Sequence, residues 1–499
     1  MDDLKTIIAT FSAEEQKRFA QFVQRQRTRK DRKDLQLFRL LRQARDVSTE
    51  ELSQRLYPEA PNPVAYYAVR QRLLQQVIEF ILLKRWQDDQ AQTASITGLL
   101  SLAEYLLESG HDALAWQFLR KAAQQAEERE QFDLLQTVLH RQLEHADSDG
   151  AEPLEELITR WQANRQRVDE EARATVAYSV IRQRLQNAKQ QGLVLDFEAI
   201  VEEVLRTYDL TGVVGKRPRL AFQLVQMARS AVLVRKDFYA FEPFLLERYR
   251  QVAAEPGFGP HHWSLQVGWL YLIAHVQYRN RKFRASLDTL ASLQPLLAHK
   301  HHPQFQPASA LLRAANQAML GELPAAIAQL EALLQHSALP VPVQLNARLN
   351  LAFYLFQTGD YRQANRVLQA IRHTDGWCEK KMGKEWVLKR NLSELILHYE
   401  LGDPDLVEQK LRSIDRRLGK WLQQPAYANV RVYLQFLKKM LAQPTQVTHE
   451  AFQQDVEASF AFAPTEQEDL QSMQFYAWLK AKMVRRPYAE VLRELTHLL

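Results

Sequence analysis

The chain has 499 residues, Lys+Arg 65 against Asp+Glu 59, a formal charge of +6, and 46% hydrophobic and 25% charged residues. Such a composition excludes a disordered chain, and such a length exceeds one compact core, so it implies several domains or an array growing in one dimension. The mild positive charge permits an acidic or nucleic-acid partner without requiring one.

Residues 1–90 read as a separate helical module. Ser12-Ala13-Glu14-Glu15 is a capping box, with Ser at the N-cap and Glu three positions on, opening a helix that carries Phe19, Phe22 and Val23. A basic stretch follows, with Arg25, Arg27, Arg29, Lys30, Arg32 and Lys33. Helices are expected over about Leu35–Arg45, from Ser48 or Thr49, and over about Val64–Trp86, the last two separated by the proline-rich Tyr57–Pro63. Val69, Leu73, Leu74, Val77, Ile78 and Ile81 form an apolar stripe that the pattern assigns to the core.

From about residue 95 the pattern repeats: a turn residue, a small residue five positions later, and Leu four later. Gly110, Ala115 and Leu119 fit it, as do Gly321, Ala326 and Leu330, and Gly359, Ala364 and Leu368. Gly402, Val407 and Leu411 fit with Val in the small slot. Two copies lack the glycine, namely Lys236, Phe241 and Leu245, and Arg281, Ser286 and Leu290. In the clearest copy, Leu351, Ala352 and Leu355 are the apolar face of a first helix, Gly359 permits the turn and Asp360 caps the second helix. Ala364 lets the two helices approach. One such pair cannot bury its apolar face alone, so neighbouring pairs must stack.

Between 145 and 220 the register is blurred. Helices are expected over Leu154–Val168 and Glu170–Gln191, and a loop over Thr211–Pro218. Phe475–Leu499 reads as a terminal helical unit split near Pro487. The segments are therefore 1–90, an N-terminal helical capping module; 91–230, degenerate helical repeats; 231–420, regular repeats; and 421–499, a C-terminal helical cap. The fold class expected is all-α, an α-solenoid of helix-turn-helix repeats with an N-terminal helical module.

The copies around 110, 321 and 359 resemble tetratricopeptide repeats, Gly359-Asp360-Tyr361 with Ala364 most closely. Two further marks are similar to a group of uncharacterised bacterial tetratricopeptide-like proteins. One is Phe11 through Phe19 with Leu56-Tyr57-Pro58 and Val77-Ile78-Glu79-Phe80; the other is Trp478-Leu479 with Arg486 through Val491. The resemblance implies a repeat protein over the whole chain and assigns no activity.

Chemistry-bearing motifs are sparse. The sequence has no phosphate-binding glycine loop, no H-E-x-x-H and no C-x-x-C, so no catalytic residue, metal or cofactor is expected. Histidines gather at His261-His262 and at His299, His301 and His302 without acidic or Cys ligands at helical spacing, which favours polar loop residues over a metal site. The one cysteine, Cys378, excludes an intramolecular disulfide and fits a reducing, cytoplasmic setting. Near His373 and Asp375 it could be drawn as a nucleophile, but packing is the simpler role. The N-terminus lacks a signal-peptide pattern, and no apolar run approaches about 18 residues, so no membrane partner is expected.

The leading expectation is a non-enzymatic scaffold holding a peptide or helix of another protein. Asn316, Gln317, Asn346, Arg348 and Asn350 are the outward-facing candidates on first helices at 308–320 and 346–358. The alternative is a transcriptional regulator whose N-terminal helix-turn-helix or winged-helix module meets DNA through Arg25, Arg27, Arg29, Lys30, Arg32, Lys33, Arg70 and Arg72, with Tyr66 and Tyr67 at the start of the recognition helix.

Overall fold

The computed structural model describes residues 3–25, 33–43, 49–58, 62–87, 93–191, 197–235, 238–254, 257–259, 262–298, 305–336, 339–424, 427–460 and 470–497. Among these residues every long regular element is a helix and none is a strand. The chain divides into two compact units, residues 1–169 and 170–499.

The first unit holds α1 (Asp3–Ala9), α2 (Ala13–Arg25), α3 (Lys33–Gln43), α4 (Thr49–Leu56), α5 (Pro63–Gln87), α6 (Thr93–Glu108), α7 (Asp112–Glu128), α8 (Phe132–Glu144) and the start of α9 (Leu154–Gln191). The capping box forms as its sequence requires. The Ser12 N–H donates to the Glu15 carboxylate at 2.6 Å, and the Glu15 N–H donates to Ser12 Oγ at 3.2 Å. Lys84 pairs with the same carboxylate. Phe19 is the hub of an aromatic cluster, 4.9 Å from Phe38, 5.2 Å from Phe80 and 5.9 Å from Phe11. Of the stripe on α5, Val69, Leu73 and Val77 are buried, but Ile78 is 42% exposed. The expected break near Asp169 is absent: α9 runs 38 residues without interruption. No glycine or proline lies within it to stop the ladder.

The second unit continues with α10 (Phe197–Thr207), α11 (Thr211–Val214), α12 (Pro218–Arg235), α13 (Phe238–Ala253), α14 (Trp263–Arg279), α15 (Phe283–Leu297), α16 (Phe305–Met319), α17 (Leu323–Leu334), α18 (Val341–Gln357) and α19 (Tyr361–Gln369). It closes with α20 (Asp375–Met382), α21 (Lys384–Leu401), α22 (Pro404–Leu422), α23 (Ala428–Ala442), α24 (Glu450–Ser459), α25 (Leu470–Val484) and α26 (Tyr488–His497). Sequential helices pair, and the first helices of successive pairs (α12, α14, α16, α18, then α21) also lie against one another.

One turn recurs between paired helices. At Gly321 and Gly359 φ is +84° and +83°, and the following N–H reaches back five residues, from Glu322 to Gln317 O at 2.8 Å and from Asp360 to Leu355 O at 3.0 Å. This bond closes the preceding helix with a left-handed residue. The same geometry occurs without glycine at Glu130, Asp209, Arg281 and Arg485, each left-handed, where a Cβ costs roughly 1–2 kcal/mol. Five residues past the turn, Ala115, Ala326, Ala364 and Val407 are fully buried. At the Arg281 copy the slot holds Ser286, whose hydroxyl donates to the Ala274 carbonyl across the pair at 2.7 Å.

The C-terminal helices are bolted to earlier ones. Phe475 packs on Phe353 and Tyr433, and Tyr488 packs on Phe353 and Phe356. Trp478 Nε1 donates to Glu400 at 2.7 Å, and Lys482 donates to the same carboxylate at 2.7 Å.

Candidate functional site

Helical geometry decides which side chains on the first helices stay available. On α14 one side packs on α12 and α13 through Trp269, Leu272, Ile273 and Val276, and another packs on α15 and α16 through Leu270 and Ala274. The stripe left over carries Gly268, His275 and Arg279. On α16, Leu312, Asn316 and Met319 turn to the preceding pair, and Ala314 and Ala318 turn to the following one. Arg313 and Gln317, four residues apart, share the remaining stripe. The corresponding stripe of α18 carries Asn350 and Gln357, and that of α12 carries Phe222 and Arg229 at i, i+7. Phe222 is seated over Gly268, where a Cβ would come within 2.7 Å of its ring.

These stripes hold polar atoms with no partner. His275 Nδ1, one guanidinium nitrogen of Arg313, Gln317 Oε1 and Gln357 Nε2 are all buried and make no hydrogen bond. A buried polar atom without a partner costs about 1–3 kcal/mol, so these four groups have hydrogen-bonding capacity that the chain's own described residues do not use. Gln357 also borders a cavity of ≈ 70 Å³ lined by Ala318, Met319, Leu323, Ala489 and Leu492. Burial, reinforced by the guanidinium charges of Arg279 and Arg229, pushes the His275 imidazole down to about 4, so it is neutral near pH 7. The ring also lies 6.5 Å from Phe238, over which Arg279 sits at 4.8 Å.

No family model and no curated protein matches the chain.

The five side chains expected to face outward separate. Asn316 is fully buried: its amide donates to Ser286 Oγ at 2.9 Å and to Leu312 O at 2.8 Å, so it is an interhelical tie. Asn346 accepts from Trp386 Nε1 at 2.9 Å and is turned toward α21. Arg348 donates to the Ala370 carbonyl at 2.8 Å, beyond the end of α19. Positions 348 and 350 stand about 200° apart around a helix and cannot share a face. Gln317 and Asn350 remain on the available stripes.

In the first unit Arg25 and Arg72 are exposed, and Lys33 lies 5.5 Å over the Tyr57 ring. Arg70 is partly buried. Tyr66, expected to reach bases, is 1% exposed and belongs to the core, while Tyr67 is 58% exposed. Arg27, Arg29, Lys30 and Arg32 lie outside the described residues. So do His261, His299, His301 and His302 of the histidine-rich loops. His262 accepts from the Gly259 N–H at 3.1 Å, a loop-closing bond.

Cys378 is buried, and burial raises its thiol above the ordinary range, so it is protonated. Its sulfur meets the His373 carbonyl and Arg390, while the His373 ring stacks on Trp377 at 3.7 Å. Among the described residues no group of three His, Cys, Asp or Glu could hold a metal ion, and no helix is long and apolar enough to cross a membrane.

Proposed function

We propose that the second unit is a curved stack of tetratricopeptide-like helix pairs whose first helices form the inner surface, and that this surface holds a peptide or helix of another protein. The chain is then a non-enzymatic interaction scaffold. The observation that carries this reading is that four of the seven unpaired buried polar atoms on α14, α16 and α18, those of His275, Arg313, Gln317 and Gln357, fall on the stripes left over by helix packing, where a partner's backbone and side chains can supply what the chain itself does not. Contact between successive first helices supports the curvature, since helices drawn together on one side of a stack bend it toward that side.

The test is selection of displayed random dodecapeptides on the full chain, with a photo-crosslinker placed at Gln317 or Asn350 and, as control, at exposed Arg412. Peptides that crosslink from 317 and 350 but not from 412 are the expected result. Selection that enriches nothing, or crosslinks only from 412, removes the inner surface from consideration.

A further inference from the structure

The four helices α12, α14, α16 and α18 have 18, 17, 15 and 17 residues and not one Asp or Glu, although 59 of the 499 residues in the chain are acidic. They carry Arg219, Arg229, Arg235, Arg279, Arg313 and Arg348, and no lysine. Acidic residues are not scarce nearby: α13 has Glu242 and Glu247, α15 Asp288, α17 Glu331 and α21 Glu385, Glu394 and Glu400. α19, α23 and α25 also lack acidic residues, so what marks the four first helices is that they lack both acids and lysines and lie side by side along the stripes described above.

Two of the arginines lack any partner. Among the described residues neither Arg229 nor Arg313 forms an ion pair or a hydrogen bond, and Arg313 has a buried guanidinium nitrogen. Both are partly buried, as is His275 on the helix between them. A guanidinium in that setting has lost part of its hydration without gaining an acceptor. The three groups lie on helices in mutual contact: α14 packs on both α12 and α16, the Arg229 charge reaches His275, and Leu312, next to Arg313, shares an apolar cluster with Ala274, next to His275.

We propose that the segment held on this surface is acidic, with one carboxylate pairing with Arg229, a second with Arg313, and His275 Nδ1 bonding the stretch between. This deepens the scaffold reading and rests on it. Packed helices lie about 8–10 Å apart, so α12 and α16 axes are separated by roughly 16–20 Å. An extended segment covers that distance in roughly five or six residues. The forked guanidinium matches a carboxylate in two parallel hydrogen bonds. A nucleic acid is the weaker fit: a phosphate backbone calls for an exposed run of cations, and here isolated, half-buried arginines alternate with Tyr, Gln and Ala.

The experiment takes peptides selected on the full chain and measures their binding by fluorescence anisotropy to the natural sequence, Arg229→Gln, Arg313→Gln and, as control, Arg412→Gln on α22. The selected peptides should carry two Asp or Glu about five or six positions apart. Each of the first two variants should weaken binding about tenfold, the loss of one charged hydrogen-bonded pair, and the control should leave it unchanged. Replacing either acidic residue of the peptide by its amide should produce the same loss without altering the protein's fold. Selected peptides that are neutral or basic, or that bind all four proteins equally, overturn this inference and leave the scaffold reading standing. Failure to select any peptide overturns both. A single-stranded 12-mer oligonucleotide that binds more tightly than the peptides, and loses that binding in both arginine variants, assigns the surface to nucleic acid instead.

Discussion

The first helices of the second unit fall into two groups that treat charge in opposite ways. On α21, Glu385 accepts from the Tyr427 hydroxyl, Glu394 binds Arg390 and Lys410, and Glu400 binds Trp478 and Lys482. Every carboxylate there is spent on the chain's own later helices. On α12, α14, α16 and α18 there are no carboxylates, and among the described residues Arg229 and Arg313 have no hydrogen-bond or ion-pair partner. The C-terminal part uses electrostatics to close itself; the middle part leaves charge and hydrogen-bonding capacity open. On the proposed reading, the carboxylates of α21 tie the C-terminal helices together, while the open groups of α12, α14, α16 and α18 are left for a partner.

The largest effect separating the two groups is expected at Trp478. Its side chain is fully buried and its indole N–H holds Glu400. Trp478→Ala should cost about 3–5 kcal/mol, read as a lowered urea midpoint for the second unit. A loss below about 1 kcal/mol would show that α25 is an appendage rather than part of the core, and the contrast with α12–α18 would lose its basis.

The sequence makes much of this legible and hides the rest for identifiable reasons. Glycine turns, the small residue five positions on and the capping Asp360, whose side chain accepts from the Gln363 N–H at 3.0 Å, all follow from local chemistry. The copy at Glu130 escapes notice because a non-glycine residue occupies the left-handed position and the slot five residues on holds Leu135 rather than a small residue, although Leu135 and Leu139 are both buried. Asp209 does the same and blurs the register before residue 220. The site was harder. Polar residues on first helices looked equivalent, but Asn316 satisfies a neighbouring pair, Arg348 a carbonyl beyond α19, and only helix phase distinguishes them from Gln317 and Asn350. The missing signal was compositional: four first helices without an acid can be seen in the sequence once their bounds are known.

The next effect is a pH dependence centred on α14. The His275 imidazole is held at about 4 against an ordinary 6.5, chiefly by burial and then by Arg279 and Arg229. Between those values the unfolded chain takes up a proton that the folded chain refuses, so stability is complete above pH 6.5 and falls as the pH drops toward 4. The loss is at most about 3 kcal/mol, and His275→Gln should flatten that limb of the stability curve. An unaltered limb in the variant would mean that other groups set the acid dependence and that α14 is no less satisfied than α21.

The smallest effect compares two arginines. Arg390, on α21, donates to the His373 and Ile371 carbonyls and to Glu394, and its side chain is 12% exposed. Arg390→Gln should cost about 1.5–3 kcal/mol, because it strips a donor from the Ile371 carbonyl and from the buried Glu394 carboxylate. Arg313 is also partly buried but has no partner, so Arg313→Gln should change thermal stability by less than about 0.5 kcal/mol in either direction. A charged, partly buried side chain that proves dispensable for folding would fit the proposed contact with an acidic segment. If Arg313→Gln instead destabilises as much as Arg390→Gln, its guanidinium is a tie within the stack, and the opposition between the open and the closed first helices disappears.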